Sequence, residues 1–145
     1  MKLYPMDFSP KKTQMKSTNY KVMVEPFAER HFIKSFAKKH KGAWDFTFNL
    51  LTKEFEQIDL LFQKNIAETI TDSGNVKICK TEFKIAGTNQ SRHGSGNRCI
   101  VAIHKDTNTV NVLLIYHKTH LGDGNETAKW KQSIKTNYPI YCGLL

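Results

Sequence analysis

The stretch that decides the fold is NRCIVAIHKDTNTVNVLLIYHK, at residues 97–118. Asn97–His104 and Val110–Lys118 are rich in β-branched and aromatic residues, which favour strands. Asp106-Thr107-Asn108 separates them and has the composition of a tight turn. The stretch therefore predicts two antiparallel strands joined by a hairpin.

The sequence before and after this hairpin adds two further strands and three helices. Polar and apolar residues alternate along Tyr20–Glu25 up to Pro26, which predicts a strand. Lys77–Ile85 is predicted to be another strand, followed by the loop Gly87–Gly96. Apolar residues at steps of three and four predict helices in the other segments. The predicted helices are Phe27–Lys41, Ala43–Phe62 and a short one that starts at Asn125 and ends at Lys135. Helices and antiparallel strands that segregate along the chain are typical of an α+β fold, with the helices packed on one face of the sheet.

Length and composition indicate a single domain. The chain has 145 residues, and we expect residues 1–18, with Pro5 and Pro10, to form a flexible N-terminal arm before one domain over 19–145. No apolar run reaches the ~20 residues that a membrane span needs, and no secretory leader is recognisable. Three cysteines make an odd count without metal-ligand spacing, which favours reduced thiols. We therefore expect a cytoplasmic protein that does not enter membranes.

Charge points to an anionic partner. Lys and Arg number 22 against 13 Asp and Glu, which gives a net charge of +9. The excess is uneven, because residues 76–105 carry six cations against one acid while residues 51–75 carry two against five. Phosphate backbones attract such a surface, and an acidic protein is attracted equally well. Charge alone leaves both partners open.

Histidines and cations at the strand ends suggest phosphodiester chemistry. Cleavage through the 2′-hydroxyl needs a base, an acid and cations that stabilise the phosphorane. His117 and His120 can serve as acid or base, and Arg98 can hold a phosphate through its planar fork. Strand alternation allows Lys84, Arg98 and His120 to converge without requiring it.

Three short motifs resemble the RelE/ParE superfamily of bacterial toxins from type II toxin–antitoxin pairs. Phe83-Lys84-Ile85 is similar to an aromatic-Lys-aliphatic run in that family. Ser95-Gly96-Asn97-Arg98 is similar to its Ser-Gly-x-Arg strand start, and Leu114–His120 to its strand that ends in a catalytic cluster. The resemblance covers residues 20–138. It implies a small twisted antiparallel sheet with an N-terminal helical hairpin packed on one face.

The resemblance also implies a function. Such toxins are ribonucleases that cut messenger RNA, often on the ribosome, and an antitoxin silences them, whereas a minority poison DNA gyrase without cutting RNA. The chain departs from the family in its longer loop Gly87–Gly96, its extra residues 1–18 and the lack of a clear match to the terminal catalytic Tyr, for which Tyr138 and Tyr141 both lie far along.

Together these observations predict a metal-independent endoribonuclease without a cofactor, bound to RNA, with or without the ribosome, and held by a cognate acidic antitoxin. The predicted catalytic residues are Arg98, His120, His117 and Lys84, and the predicted RNA-binding residues are Lys80, Arg92 and Lys118.

Other functions remain open at this stage. A gyrase poison or a nucleic-acid binder of the same fold needs the basic sheet and not the histidines. Zinc held by His117, His120 and Cys99 or Cys142 is weakly supported. The His-x-x-His spacing occurs in metal sites, but neither a nearby Cys nor a carboxylate accompanies this strand-end pair. A G-x-S-x-G nucleophile motif and paired carboxylates are also lacking.

Overall fold

Five strands form one mixed sheet in the computed structural model, which describes residues 19–145. The sheet order is β1-β5-β4-β3-β2, and all pairs are antiparallel except β1 with β5, which is parallel. The strands are β1 (Lys21–Val24), β2 (Ala67–Asp72), β3 (Val76–Phe83), β4 (Asn97–His104) and β5 (Thr109–His117). The α+β class and the central hairpin are as predicted.

Two features of the sheet differ from the sequence prediction. The sheet is not wholly antiparallel, since β1 adds to the edge of β5 in parallel, with Val22 beside Val110. The edge strand β2 was not predicted. Its six residues include two acids and three partly exposed side chains, so the apolar alternation that marks a strand is weak there.

The helices lie where they were predicted, with one correction. The first runs continuously through a π-helical turn. The predicted single helix Ala43–Phe62 is instead two helices, because the backbone leaves helical geometry at Gln57. Asn125 caps the last helix by accepting a hydrogen bond from the Ala128 N–H (3.0 Å). The helices are α1 (Pro26–Ala28, the π turn Glu29–Ile33 and Lys34–Lys39), α2 (Ala43–Glu56), α3 (Ile58–Gln63) and α4 (Glu126–Asn137).

The sheet is covered on both faces. One face is covered by the helical hairpin of α1 and α2 together with α3, and is called the hairpin face. There the helices bury Phe36, Trp44 and Phe55 against the strands. On the α4 face, Trp130 and Ile134 of the last helix are fully buried against the opposite sides of the same strands. Strand side chains alternate between two apolar environments, which explains why β4 reads as a continuous apolar run.

None of the described helices is long and apolar enough to cross a membrane. The predicted arm, residues 1–18, lies outside the described part of the chain.

Candidate functional site

A cleft of about 140 Å³ opens on the hairpin face, between the C-terminal end of α1 and the end of β5. The loop between β3 and β4 closes its third side. None of the described residues that line the cleft is Asp or Glu, so its polar groups are cations, histidines, hydroxyls and amides. The polar lining residues are Ser35, Lys39, His40, Thr88, Gln90, Ser95, Asn97, His117 and His120.

His120 presents an N–H group to this cleft. Its Nδ1 accepts a hydrogen bond from the His117 backbone N–H at 3.0 Å, so the neutral ring carries its proton on Nε2. Among residues 19–145, no hydrogen-bond partner lies within reach of that Nε2. Burial lowers the pKa of His120 below 6.5, and the nearby His117 and Lys39 lower it further. At neutral pH His120 is therefore a neutral hydrogen-bond donor.

His117 is held in place by the turn around it. Its Nδ1 accepts a hydrogen bond from the Thr119 backbone N–H at 3.2 Å. Its Nε2 packs against Gly96 so closely that a Cβ at position 96 would lie only 2.6 Å from it. Partial burial lowers the pKa of His117, with Lys39 adding to the effect, although a hydrogen bond with the Ser95 backbone opposes it. His117 therefore positions the turn that carries His120.

Lys39 and His40 complete the cleft, and the sequence reasoning did not select them. His40 ends α1, and its ring lies 6.3 Å from the ring of Phe36, which is also 5.6 Å from the His120 ring. Burial and the charge of Lys39 lower the pKa of His40, so it is neutral at neutral pH. The sequence did contain a sign of their position, because a glycine such as Gly42 commonly follows the end of a helix. Gly42 has a φ of 82° in the turn between α1 and α2, so Lys39 and His40 lie at the C-terminal end of α1.

Arg98 lies on the α4 face of the sheet, opposite the cleft. Its side chain is 6% exposed and forms ion pairs with Glu82 at 3.4 Å and with Glu126 at 3.5 Å. Its neighbour on β5 is Tyr116, whereas the neighbour of Asn97 is His117. Because successive strand residues point to opposite faces, Arg98 and the two histidines are separated by the sheet.

The group around this guanidinium, here the Arg98 cluster, is balanced in charge. The Tyr116 hydroxyl donates to Glu126 at 2.9 Å, and Lys80 lies 3.5 Å from the same carboxylate. Burial raises the pKa of Glu126, but the Tyr116 hydrogen bond and the Lys80 and Arg98 charges outweigh it and hold the pKa below its usual range. The Arg98 cluster comprises Lys80, Glu82, Arg98, Tyr116 and Glu126.

The three remaining predicted site residues lie in two places. Lys118 follows His117 in the turn at the cleft and is exposed. Lys84 and Arg92 line a separate hollow of about 120 Å³ beside α2, where Arg92 forms a two-pronged ion pair with Glu54 at 2.8 and 3.1 Å. The structure thus brings His117 and His120 together in the cleft, leaves Lys118 outside the cleft lining, and does not bring Lys84 or Arg98 to the histidines.

Metal binding has no support within residues 19–145, where His, Cys, Asp and Glu side chains form no group of three or more that could hold an ion. Cys79 and Cys99 are buried free thiols, and burial raises the pKa of both.

Comparison with known proteins gives one structural likeness. No protein-family model matches the sequence, and no curated protein matches it. Among solved structures, the chain is similar to a chain of an archaeal RelE–RelB complex from Pyrococcus horikoshii OT3, with 12% sequence identity and a TM-score of 0.45. The likeness covers 70% of this chain and 97% of the other.

Proposed function

We propose that this protein is the toxin of a type II toxin–antitoxin pair and that it cleaves messenger RNA at the histidine cleft. The observation that carries the proposal is the cleft itself, where His40, His120 and Lys39 face one space that no described carboxylate lines. A phosphodiester fits a site of cations and neutral histidines, because such groups stabilise the negative charge that develops on phosphate oxygens. The RelE/ParE-like motifs of the sequence supply the class of toxin.

The base in this proposal is His40. Removal of the 2′-hydroxyl proton needs a neutral imidazole with a free lone pair. The Nδ1 lone pairs of His117 and His120 both accept backbone N–H groups, so these rings offer no lone pair to the cleft. His40 has a lowered pKa, and its ring forms no hydrogen bond with other residues of 19–145, so it is the histidine best suited to accept a proton.

Charge on the phosphate is stabilised by three other groups. The Nε2–H of His120 donates to a phosphate oxygen, Lys39 supplies positive charge from the lining of the cleft, and Lys118 adds charge from the turn that carries His120. Arg98, the phosphate-holding residue of the sequence hypothesis, is replaced in this role because Glu82 and Glu126 already neutralise it.

The proposed reaction is a transesterification followed by release. The 2′-oxygen attacks phosphorus while its proton passes to His40, and the bond from phosphorus to the 5′-oxygen breaks. The products are a 2′,3′-cyclic phosphate and a 5′-hydroxyl, whose proton comes from water. His40 then returns its proton to solvent.

Substitutions at the two histidines test this assignment. His40→Gln removes the base and should lower the cleavage rate by ~10²–10⁴-fold. His120→Ala removes a donor and should lower it by ~10²–10³-fold. His120→Gln keeps an N–H donor and should retain part of the rate, whereas equal losses in the Ala and Gln variants would mean that His120 transfers a proton instead.

The assay is cleavage of a messenger RNA with and without ribosomes, read by primer extension. His31→Gln is the matched control, since His31 is exposed on α1 and does not line the cleft. Full cleavage by a His40/His120 double variant would refute the ribonuclease proposal and favour a gyrase poison or a nucleic-acid binder of the same fold.

The proposal includes a cognate acidic antitoxin. The net charge of +9 favours a partner rich in Asp and Glu, and three large apolar side chains on α2 and α3 are exposed. These are Phe46 (60%), Leu50 (48%) and Leu60 (38%). Co-expression with an acidic neighbouring gene should relieve growth arrest and yield a co-purifying complex; a chain that is harmless when expressed alone would contradict this.

A further inference from the structure

The outer side of α1 is an exposed and strongly basic surface. Between residues 26 and 41 there are five Lys or Arg and one acid, Glu29. Four of these cations recur at steps of four, four and three along α1 and the turn after it, and all four are exposed. They form the cation row, which consists of Arg30, Lys34, Lys38 and Lys41.

The charge of the cation row is not offset by ion pairs, unlike that of four other cations in the described chain. Lys80, Arg92, Arg98 and Lys105 each lie within 4.0 Å of a carboxylate. None of the four row cations forms such a pair with a carboxylate of residues 19–145. The fifth cation of the helix, Lys39, points to the cleft. The row therefore leads along α1 to the proposed site of chemistry.

We propose that the cation row binds the phosphates that flank the cleavage site of a single RNA strand, which runs along α1 into the cleft. The inference rests on the proposed function and names the surface that guides its substrate. From Arg30 to Lys38 the helix rises ~12 Å. If each of the four cations contacts one phosphate of the strand, the row neutralises about four phosphate charges.

Side-chain chemistry favours RNA over an acidic protein at this surface. Protein interfaces need a desolvated apolar centre, whereas nucleic-acid interfaces are polar and cationic. Among the described residues, no large apolar side chain of α1 is exposed. The exposed apolar residues Phe46, Leu50 and Leu60 belong to α2 and α3 instead. A protein partner thus fits α2 and α3, and RNA fits α1.

The salt dependence of RNA binding tests the inference. The probe is a fluorescent single-stranded RNA with 2′-O-methyl groups throughout, which cannot be cleaved through the 2′-hydroxyl. The test variant changes all four row residues to Gln. The control variant changes four exposed lysines elsewhere to Gln, so that net charge falls equally; these are Lys21, Lys53, Lys64 and Lys135.

Each phosphate contact contributes about 0.7 to the slope of log affinity against log salt for a single strand. Loss of the row should therefore flatten the slope by about 3. A fourfold rise in salt then weakens the test variant ~50-fold less than the wild type, while the control stays close to the wild-type slope. Equal flattening in both variants would overturn the inference, and so would a row variant that loses an acidic partner protein but keeps the wild-type slope.

The outcome is separable from that of the proposed reaction. Binding by the row does not depend on His40 or His120. If RNA is bound with the expected slope but never cut, the row stands and the ribonuclease fails. If RNA is cut while the row variant keeps the wild-type slope and cleavage rate, the ribonuclease stands and the row is refuted.

Discussion

The two faces of the sheet use the same residue types to opposite effect. On the hairpin face, Lys39 and the histidines line a cleft without any described carboxylate. On the α4 face, Arg98 and Lys80 are matched by Glu82 and Glu126. A cation packed beside the sheet can therefore be a free charge for a ligand or one side of an internal ion pair, and the presence of a neighbouring carboxylate decides which.

The largest expected effect is the loss of Arg98. Arg98→Met keeps much of the apolar volume but leaves Glu82 and Glu126 without their buried cation, and we expect it to destabilise the fold by about 3 kcal/mol. Urea unfolding followed by circular dichroism measures this. The triple variant Arg98→Met, Glu82→Gln, Glu126→Gln should recover most of the loss, and a triple variant no more stable than the single one would contradict the charge-balance explanation.

Removing a cation from the cleft should instead lower activity and leave stability almost unchanged. Lys39→Ala should lower RNA cleavage by ~10²-fold, because a preorganised charge is lost. Stability should change by less than about 0.5 kcal/mol, since Lys39 is exposed. Lys39→Arg keeps the charge and serves as the control. A cleavage rate that is insensitive to both substitutions would remove Lys39 from the site.

A smaller effect is expected at Gly96, on the cleft side. Its φ of 78° disfavours any side chain, and a Cβ would stand 2.6 Å from the Nε2 of His117. Gly96→Ala should cost about 2 kcal/mol and displace His117. Gly143→Ala is the matched control, because nothing lies within 4 Å of a Cβ there. Thermal unfolding compares the melting temperatures of the two variants. Equal melting temperatures would contradict both the backbone strain at Gly96 and its close contact with His117.

The smallest effect is a pH dependence of stability that arises in the cleft. His40, His117 and His120 all have pKa values lowered below 6.5 in the folded protein, chiefly by burial. The unfolded chain therefore binds more protons below that pH, so their contribution is complete above pH 6.5 and declines as pH falls through the lower folded values. Urea unfolding at pH 5 and pH 7.5 should show this decline, and a His117→Gln/His120→Gln variant should show less of it.

Much of the fold could be predicted from the sequence, because apolar periodicity and turn residues mark it directly. The strand Asn97–His104 was predicted with its observed bounds, and the helix cap at Asn125 was also identified. The edge strand β2 was missed because its side chains are half exposed and acidic, and the parallel pairing of β1 is a long-range contact that no local pattern specifies.

The site was harder to predict than the fold. Alternation assigns neighbouring strand residues to opposite faces, but which face becomes a cleft depends on the helices that cover it. Arg98 looked suited to a phosphate because nothing local reveals that Glu126, 28 residues away in the sequence, neutralises it. Lys39 and His40 looked like ordinary surface residues of an amphipathic helix until the end of β5 was placed beside them.

The parallel contact between β1 and β5 has a consequence for synthesis. Lys21 lies beside Thr109 in the sheet, and the cleft combines α1 with a turn that ends at Leu121. A growing chain cannot close this contact, or bring His40 to His120, until nearly all of it has left the ribosome. Long loops must close late and slowly in such a topology. A premature stop codon before position 120 therefore gives a product that lacks part of the cleft lining.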